Sequence, residues 1–113
     1  MWITIGEHRF KASLINAPAA REFSDMLPFT LIMGDLNNNE KHALLPKSIS
    51  TDEHYPKRIH NGDLMLWGNQ TIVVFYKDFD TPYPYTRIGY IEDPSQLQQV
   101  LEQNNVSVIF SKN

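Results

Sequence analysis

Gly62-Asp63-Leu64-Met65-Leu66-Trp67-Gly68-Asn69-Gln70-Thr71-Ile72-Val73-Val74-Phe75-Tyr76 is the stretch that decides the fold. Two apolar runs, Leu64–Trp67 and Thr71–Tyr76, flank Gly68-Asn69, a pair that accepts the positive φ of a tight two-residue turn. The spacing predicts a β-hairpin. Nearly every position in both runs is apolar, which is the pattern of strands buried on both faces rather than wet on one. Such a hairpin suits the spine of a small barrel or closed sheet.

Working outward, Trp2–Ile5 and His8–Leu14 alternate around Gly6-Glu7. Ile3 and Ile5 face one way, and Phe10, Ala12 and Leu14 form an apolar row opposite Arg9, Lys11 and Ser13. Asn16-Ala17-Pro18 reads as a helix start with Asn16 as N-cap and Pro in the first turn. Ala20, Phe23 and Leu27 make its buried stripe, Pro28 ends it, and Phe29–Met33 follows as a strand. Gly34–Pro56 is the least regular part, a long loop of the kind that often carries function, with room for a short strand such as His42–Leu45. Beyond the central hairpin, Lys77–Pro84 is a loop stiffened by two prolines, and Tyr85–Ile91 is a strand. Asp93-Pro94-Ser95-Gln96 carries the signals of a helix N-terminus. Leu97, Val100 and Leu101 form its buried stripe, Asn104-Asn105 its stop, and Val106–Phe110 the last strand. Six to eight strands and two short helices in antiparallel order predict a mainly β fold, a closed barrel of about eight strands capped by the helices.

At 113 residues the chain is expected to form one domain over 1–113. A hydrophobic content of 42% with 20% charged residues is ordinary for a globular protein. The formal net charge is −3 and the ten Lys and Arg residues are scattered, which removes the basic footprint of a nucleic-acid or anionic-membrane partner. Cysteine is absent, so disulfide and thiolate chemistry are excluded. No apolar run approaches a membrane span and no charged n-region precedes an apolar core, so a cytoplasmic protein is the expectation.

Few motifs point to chemistry. Asp35-x-Asn37-x-Asn39 opens like a calcium loop, but Glu40 stands where glycine is needed and Pro46 where the bidentate Glu belongs, so Asx turn chemistry is expected. His8, His42, His54 and His60 lack ligand spacing, and the glycines sit singly, so neither a metal nor a cofactor is expected. No nucleophile elbow is present. The informative cluster is aromatic: Trp67, Phe75, Tyr76, Phe79, Tyr83, Tyr85 and Tyr90, with Arg87 among them. Strict alternation puts Tyr85, Arg87 and Gly89 on one face of their strand and Thr86, Ile88 and Tyr90 on the other. With Tyr85 and Arg87 outside the barrel beside Phe75, they form an apolar floor with one cationic donor, suited to a peptide or a small carbonyl ligand. The plainer alternative is that the aromatics fill core and barrel mouth while Arg87 pairs with an acid on a neighbouring strand.

Taken together, Phe29-Thr30-Leu31-Ile32-Met33, Asp35-Leu36-Asn37-x-Asn39-Glu40-Lys41, Leu44-Leu45-Pro46, Ile59-His60-Asn61-Gly62-Asp63-Leu64-Met65-Leu66, Val74-Phe75-Tyr76 and Tyr85–Asp93 resemble the bacterial cyclophilin-like domain family along the whole chain. The resemblance implies an eight-stranded barrel with helices over its open ends. Cyclophilins proper isomerise X–Pro bonds with an arginine on a barrel strand beside an apolar proline pocket. Their Phe-His-Arg strand and Gln-Gly-Asp-Phe stretch are not found here, and no position matches that arginine by motif. The leading expectation is therefore a non-catalytic module that binds a peptide or small ligand beside Phe75, Tyr85 and Arg87, with Asn37, Glu40 and Lys41 as a rim. A peptidyl-prolyl isomerase is the alternative. A third reading uses Glu40, Lys41 or His60 as acid or base on a small metabolite.

Overall fold

Antiparallel pairing carries the chain round a closed ring. The computed structural model describes residues 1–113. In order, the elements are β1 (Trp2–Ile5), β2 (His8–Leu14), α1 (Pro18–Asp25), β3 (Phe29–Leu36), β4 (Glu40–Leu44), β5 (Glu53–His54) and β6 (Arg58–Ile59). There follow β7 (Asp63–Trp67), β8 (Thr71–Phe75), β9 (Phe79–Asp80), β10 (Tyr85–Ile91), α2 (Leu97–Leu101) and β11 (Val106–Ser111). The ring runs β2-β1-β11-β3-β4-β8-β7-β10 and closes where Gly89–Ile91 of β10 pairs with Ala12–Leu14 of β2. Eight strands make the barrel, and closure leaves no long edge open to another chain. The short β5 extends β10 beyond the seam, and β6 and β9 form a separate two-stranded ribbon.

The expected elements are present with local corrections. In the central hairpin Trp67 pairs with Thr71, so the connection is three residues, Gly68 to Gln70, rather than two. The Gly34–Pro56 segment is more ordered than its composition suggests. β3 runs on to Leu36, and Asn37 and Asn38 turn the chain with φ of 55° and 54°. Asn tolerates that left-handed conformation better than most residues. Leu45 and Ile49 then hang on the central turn, their N–H groups donating to Gln70 and Asn69 carbonyls, and both side chains enter the core. The cap of α1 is Ala17 rather than Asn16, and alanine has no side-chain acceptor to offer; Asn16 Oδ1 accepts from Arg21. Asp93 accepts from Ser95 in a preceding turn, and α2 begins a turn later than the capping signal implies.

Inward side chains fill the barrel. Ile3, Phe10, Met33, Leu64, Leu66, Ile72, Val74, Ile88 and Phe110 belong to one buried cluster. Phe23 of α1 and Leu97 and Leu101 of α2 join it, which is how each short helix spends its apolar stripe. Three outward apolar residues of the central hairpin are buried as well. Met65, Val73 and Phe75 form a second cluster with Ile59 and Tyr85, covered by the β6–β9 ribbon through Phe79. Burial on both faces is the reason the hairpin sequence reads as continuously apolar.

Strict alternation fails on β10. A register shift between Arg87 and Gly89 leaves Ile88 as an extra residue, so Tyr85 and Arg87 stay outside while Ile88 points into the core and Tyr90 emerges half-exposed. Gly89 does not share the face of Arg87. At the barrel seam, a Cβ on Gly89 would lie 2.1 Å from the Ser13 carbonyl oxygen, a backbone atom. Gly89→Ala is therefore expected to lose at least the roughly 1–3 kcal/mol of an overpacked site. Urea unfolding would measure it, and an unchanged midpoint would show that the seam yields.

Candidate functional site

A groove of about 680 Å³ opens on the outside of the barrel. Its floor is the outer face of the central hairpin, with Trp67, Thr71 and Val73; the β3–β4 tip forms one wall through Leu36, Asn37, Asn39 and Glu40. The opposite wall is the Phe79–Tyr85 segment. That wall is held rigidly: Thr81 N–H donates to the Lys57 carbonyl at 2.9 Å, and Pro82 and Pro84 restrict φ on either side of Tyr83. The rings interlock. Phe75 meets Tyr85 edge-on at 5.5 Å and Phe79 at 5.6 Å, and Trp67 meets Tyr83 edge-on at 5.7 Å. Phe75 and Tyr85 are buried, whereas Trp67 and Tyr83 keep 44% and 55% of their surface, so these two offer ring area to a ligand.

Glu40 is the unusual group. It pairs with Phe75 across the β4–β8 ladder, lines the groove and is only 7% exposed. Burial, and then the negative charge of Asp35, push its carboxyl up to about 7, and no hydrogen bond or countercharge pulls it back. A buried carboxylate is ordinarily paired. Tyr85, beside it, is also raised, first by burial and then by the Glu40 charge. His42 lies two residues along on the same face of β4 and lines the same groove.

Lys41 points the other way, into the barrel, and is fully buried. Its ammonium donates to Asp35 Oδ1 at 2.9 Å, to the Asn104 carbonyl at 2.9 Å and to the Gln103 carbonyl, so all three donors are used. Tyr76 Oη donates to the same Asp35 oxygen at 2.5 Å, and the Asn38 N–H donates to the other. Burial pushes Asp35 upward, but the Tyr76 and Lys41 hydrogen bonds, the Lys41 charge and the Asn38 amide together hold it below the ordinary 3.8. The Asp35-x-Asn37-x-Asn39 run thus serves an ion pair that ties the β3–β4 hairpin to the segment before β11.

The six residues proposed from sequence therefore separate. Asn37, Glu40 and Tyr85 line the groove, and Phe75 lies beneath it. Lys41 is in the barrel interior. Arg87, half-exposed, lies 3.8 Å from Asp63 Oδ1 on the neighbouring strand and lines a different depression with Thr86 and His54. Its guanidinium is not the donor of the aromatic floor. The three acid–base candidates do not meet either: Glu40 and Lys41 take opposite faces of β4, and His60 is exposed beside Asp63. Trp67, Phe79 and Tyr83 were visible as members of the aromatic cluster. No spacing signal separates such groove-lining rings from core-filling Tyr76, because that division depends on which strand face the ribbon covers. No helix is long and apolar enough to cross a membrane.

Comparison with known proteins agrees with this architecture. The model of the cyclophilin-like family matches residues 3–111. Among solved structures, the chain is similar to a hypothetical protein from Archaeoglobus fulgidus, determined in solution. The TM-score is 0.64 with 19% identity, over 99% of this chain and 92% of that one. At that identity the likeness speaks to the fold. Curated proteins gave no match.

Proposed function

This chain belongs to the cyclophilin-like family, and from that premise we propose that it is a binding module whose outer groove takes a small organic ligand or a peptide side chain. The observation that carries the reading is Glu40: an unpaired carboxyl held in a largely apolar groove works against stability, as functional groups often do. The exposed rings of Trp67 and Tyr83 line the same groove and supply contact area. Binding is favoured over prolyl isomerisation because an isomerase needs a donor aimed at the prolyl nitrogen, and Arg87 lies outside this groove.

An amide-shift titration by NMR with small aromatic compounds and X–Pro peptides tests the reading. Shifts are expected around Glu40, Trp67 and Tyr83. Trp67→Ala, which removes a surface ring, is expected to weaken binding about tenfold, the effect of losing about 1.4 kcal/mol of contact. Exchange cross-peaks between cis and trans peptide signals at catalytic protein concentration would replace this reading with isomerisation. Shifts confined to the neighbourhood of Arg87 would move the site.

A further inference from the structure

Resting on the groove being a binding site, we infer that its ligand carries an organic cation, an alkylammonium or quaternary ammonium group on an apolar or aromatic body, with the positive charge held against Glu40. Two features of the groove point this way. The first is charge. No Lys or Arg lines it, while Glu40 and Asp80 do. Asp80 already holds Arg58 at 3.0 Å, which leaves Glu40 as the charge without a partner. An anionic ligand would add to an existing repulsion, and an ammonium ion would remove it.

The second feature is the aromatic surround. Trp67 and Tyr83 meet at 85°, forming a corner of two rings, and Tyr85 packs against Trp67 at 5.6 Å. Trp67 stands across from Thr71 and Glu40 across from Phe75, four residues along β8. The exposed ring corner therefore takes the apolar or aromatic body of the ligand while its ammonium reaches Glu40, and ring faces favour a cationic guest over an anionic one. A metal ion would need more ligands than Glu40 and His42 provide, and no group of three acidic or His side chains gathers here.

Titration of Glu40 makes the inference measurable. The groups that face it are Asp35 and Tyr76 behind the β3–β4 hairpin, His42 on its own strand, Tyr85 on β10 and Asp80 on the far wall. A cation binds the ionised carboxylate. With the free carboxyl titrating at about 7, roughly a tenth is ionised at pH 6 and roughly nine-tenths at pH 8, so affinity rises about tenfold across that interval. A ligand that accepts a hydrogen bond from the protonated carboxyl would show the opposite slope.

The experiment is an NMR titration with three probes of similar body: benzyltrimethylammonium, whose charge is permanent, benzyl alcohol, and phenylacetate. The expected result is that the cation binds best and shifts Glu40, Trp67 and Tyr83. Its affinity is expected to be about tenfold higher at pH 8 than at pH 6. The pH step is expected to vanish in Glu40→Gln and to survive in His42→Gln. If the alcohol or the anion binds in the groove as well as the cation, or if the step has the opposite sign, the cation inference fails while the binding site stands. If none of the probes shifts groove residues, both fail together.

Discussion

Lys41→Met is expected to lower the unfolding free energy by about 3–5 kcal/mol, the loss found when one partner of a buried ion pair is removed. In a chain of this size that is a drop in Tm on the order of 10–20 °C. The side chain has no exposed surface, so methionine fills similar space and the effect reports the lost ammonium, its charge and its three hydrogen bonds together. What is left behind is a partly buried Asp35 without its cation and two carbonyls, of Gln103 and Asn104, without their donor. Asp35→Asn combined with Lys41→Met is expected to cost less than the sum of the two, because the second change removes the charge that the first one strands. Strict additivity in a double-mutant cycle would show that the pair does not act as a unit. The same pair sets an acid limit. With Asp35 held below 3.8 in the folded chain, its contribution is present above that value and is lost as the pH falls through the folded value.

Glu40→Gln is expected to do the reverse and stabilise the protein, but only at neutral and higher pH. The folded chain keeps the Glu40 proton up to about pH 7, whereas an ordinary carboxyl releases it at 4.5. Between those values the unfolded chain binds fewer protons, so stability falls as the pH rises. The stability Glu40 contributes when protonated is complete below 4.5 and is lost as the pH rises through about 7. The full change is on the order of 3 kcal/mol, at about 1.4 kcal/mol for each tenfold change in proton affinity. Glutamine keeps the shape and cannot ionise. Urea unfolding at pH 4.5 and pH 8 is expected to show similar stabilities for the two proteins at the lower pH. At pH 8 the variant is expected to be more stable by about 2–3 kcal/mol. Parallel pH profiles would mean that Glu40 is not held in a desolvated site, and the functional reading built on it would fall. The neighbouring residues Glu40 and Lys41 thus have opposite consequences, because successive side chains of β4 enter two different environments.

Much of the barrel was legible in the sequence because its signals are local. The two-faced apolar hairpin, the alternation of β1 and β2 and the strand at Tyr85–Ile91 are each written in a few consecutive residues. Three things were not. Asn37 and Asn38 looked like part of a long loop, although they make a tight turn between two strands, since Asn run composition does not distinguish the two. The two-residue ribbon of β6 and β9 is too short to leave a period, and its partners are about twenty residues apart, as Arg58 pairing with Asp80 illustrates. The bulge at Ile88 shifts every later residue of β10 to the other face, a one-residue slip that alternation cannot foresee.

By itself the sequence determined an antiparallel β-barrel with two short helices and an aromatic-rich hairpin buried on both sides, because hydrophobic periodicity and turn chemistry act between residues close together in the chain. Only the tertiary structure decided which polar groups share an environment. It sends Lys41 inward to Asp35 and the segment before β11, leaves Glu40 outside without a partner, and turns Arg87 toward Asp63 and a different depression from the groove. The physical reason is that an ionisable group takes its character from burial and from charges brought near by closure of the sheet. Those neighbours come from strands far apart in sequence, so no local pattern records them.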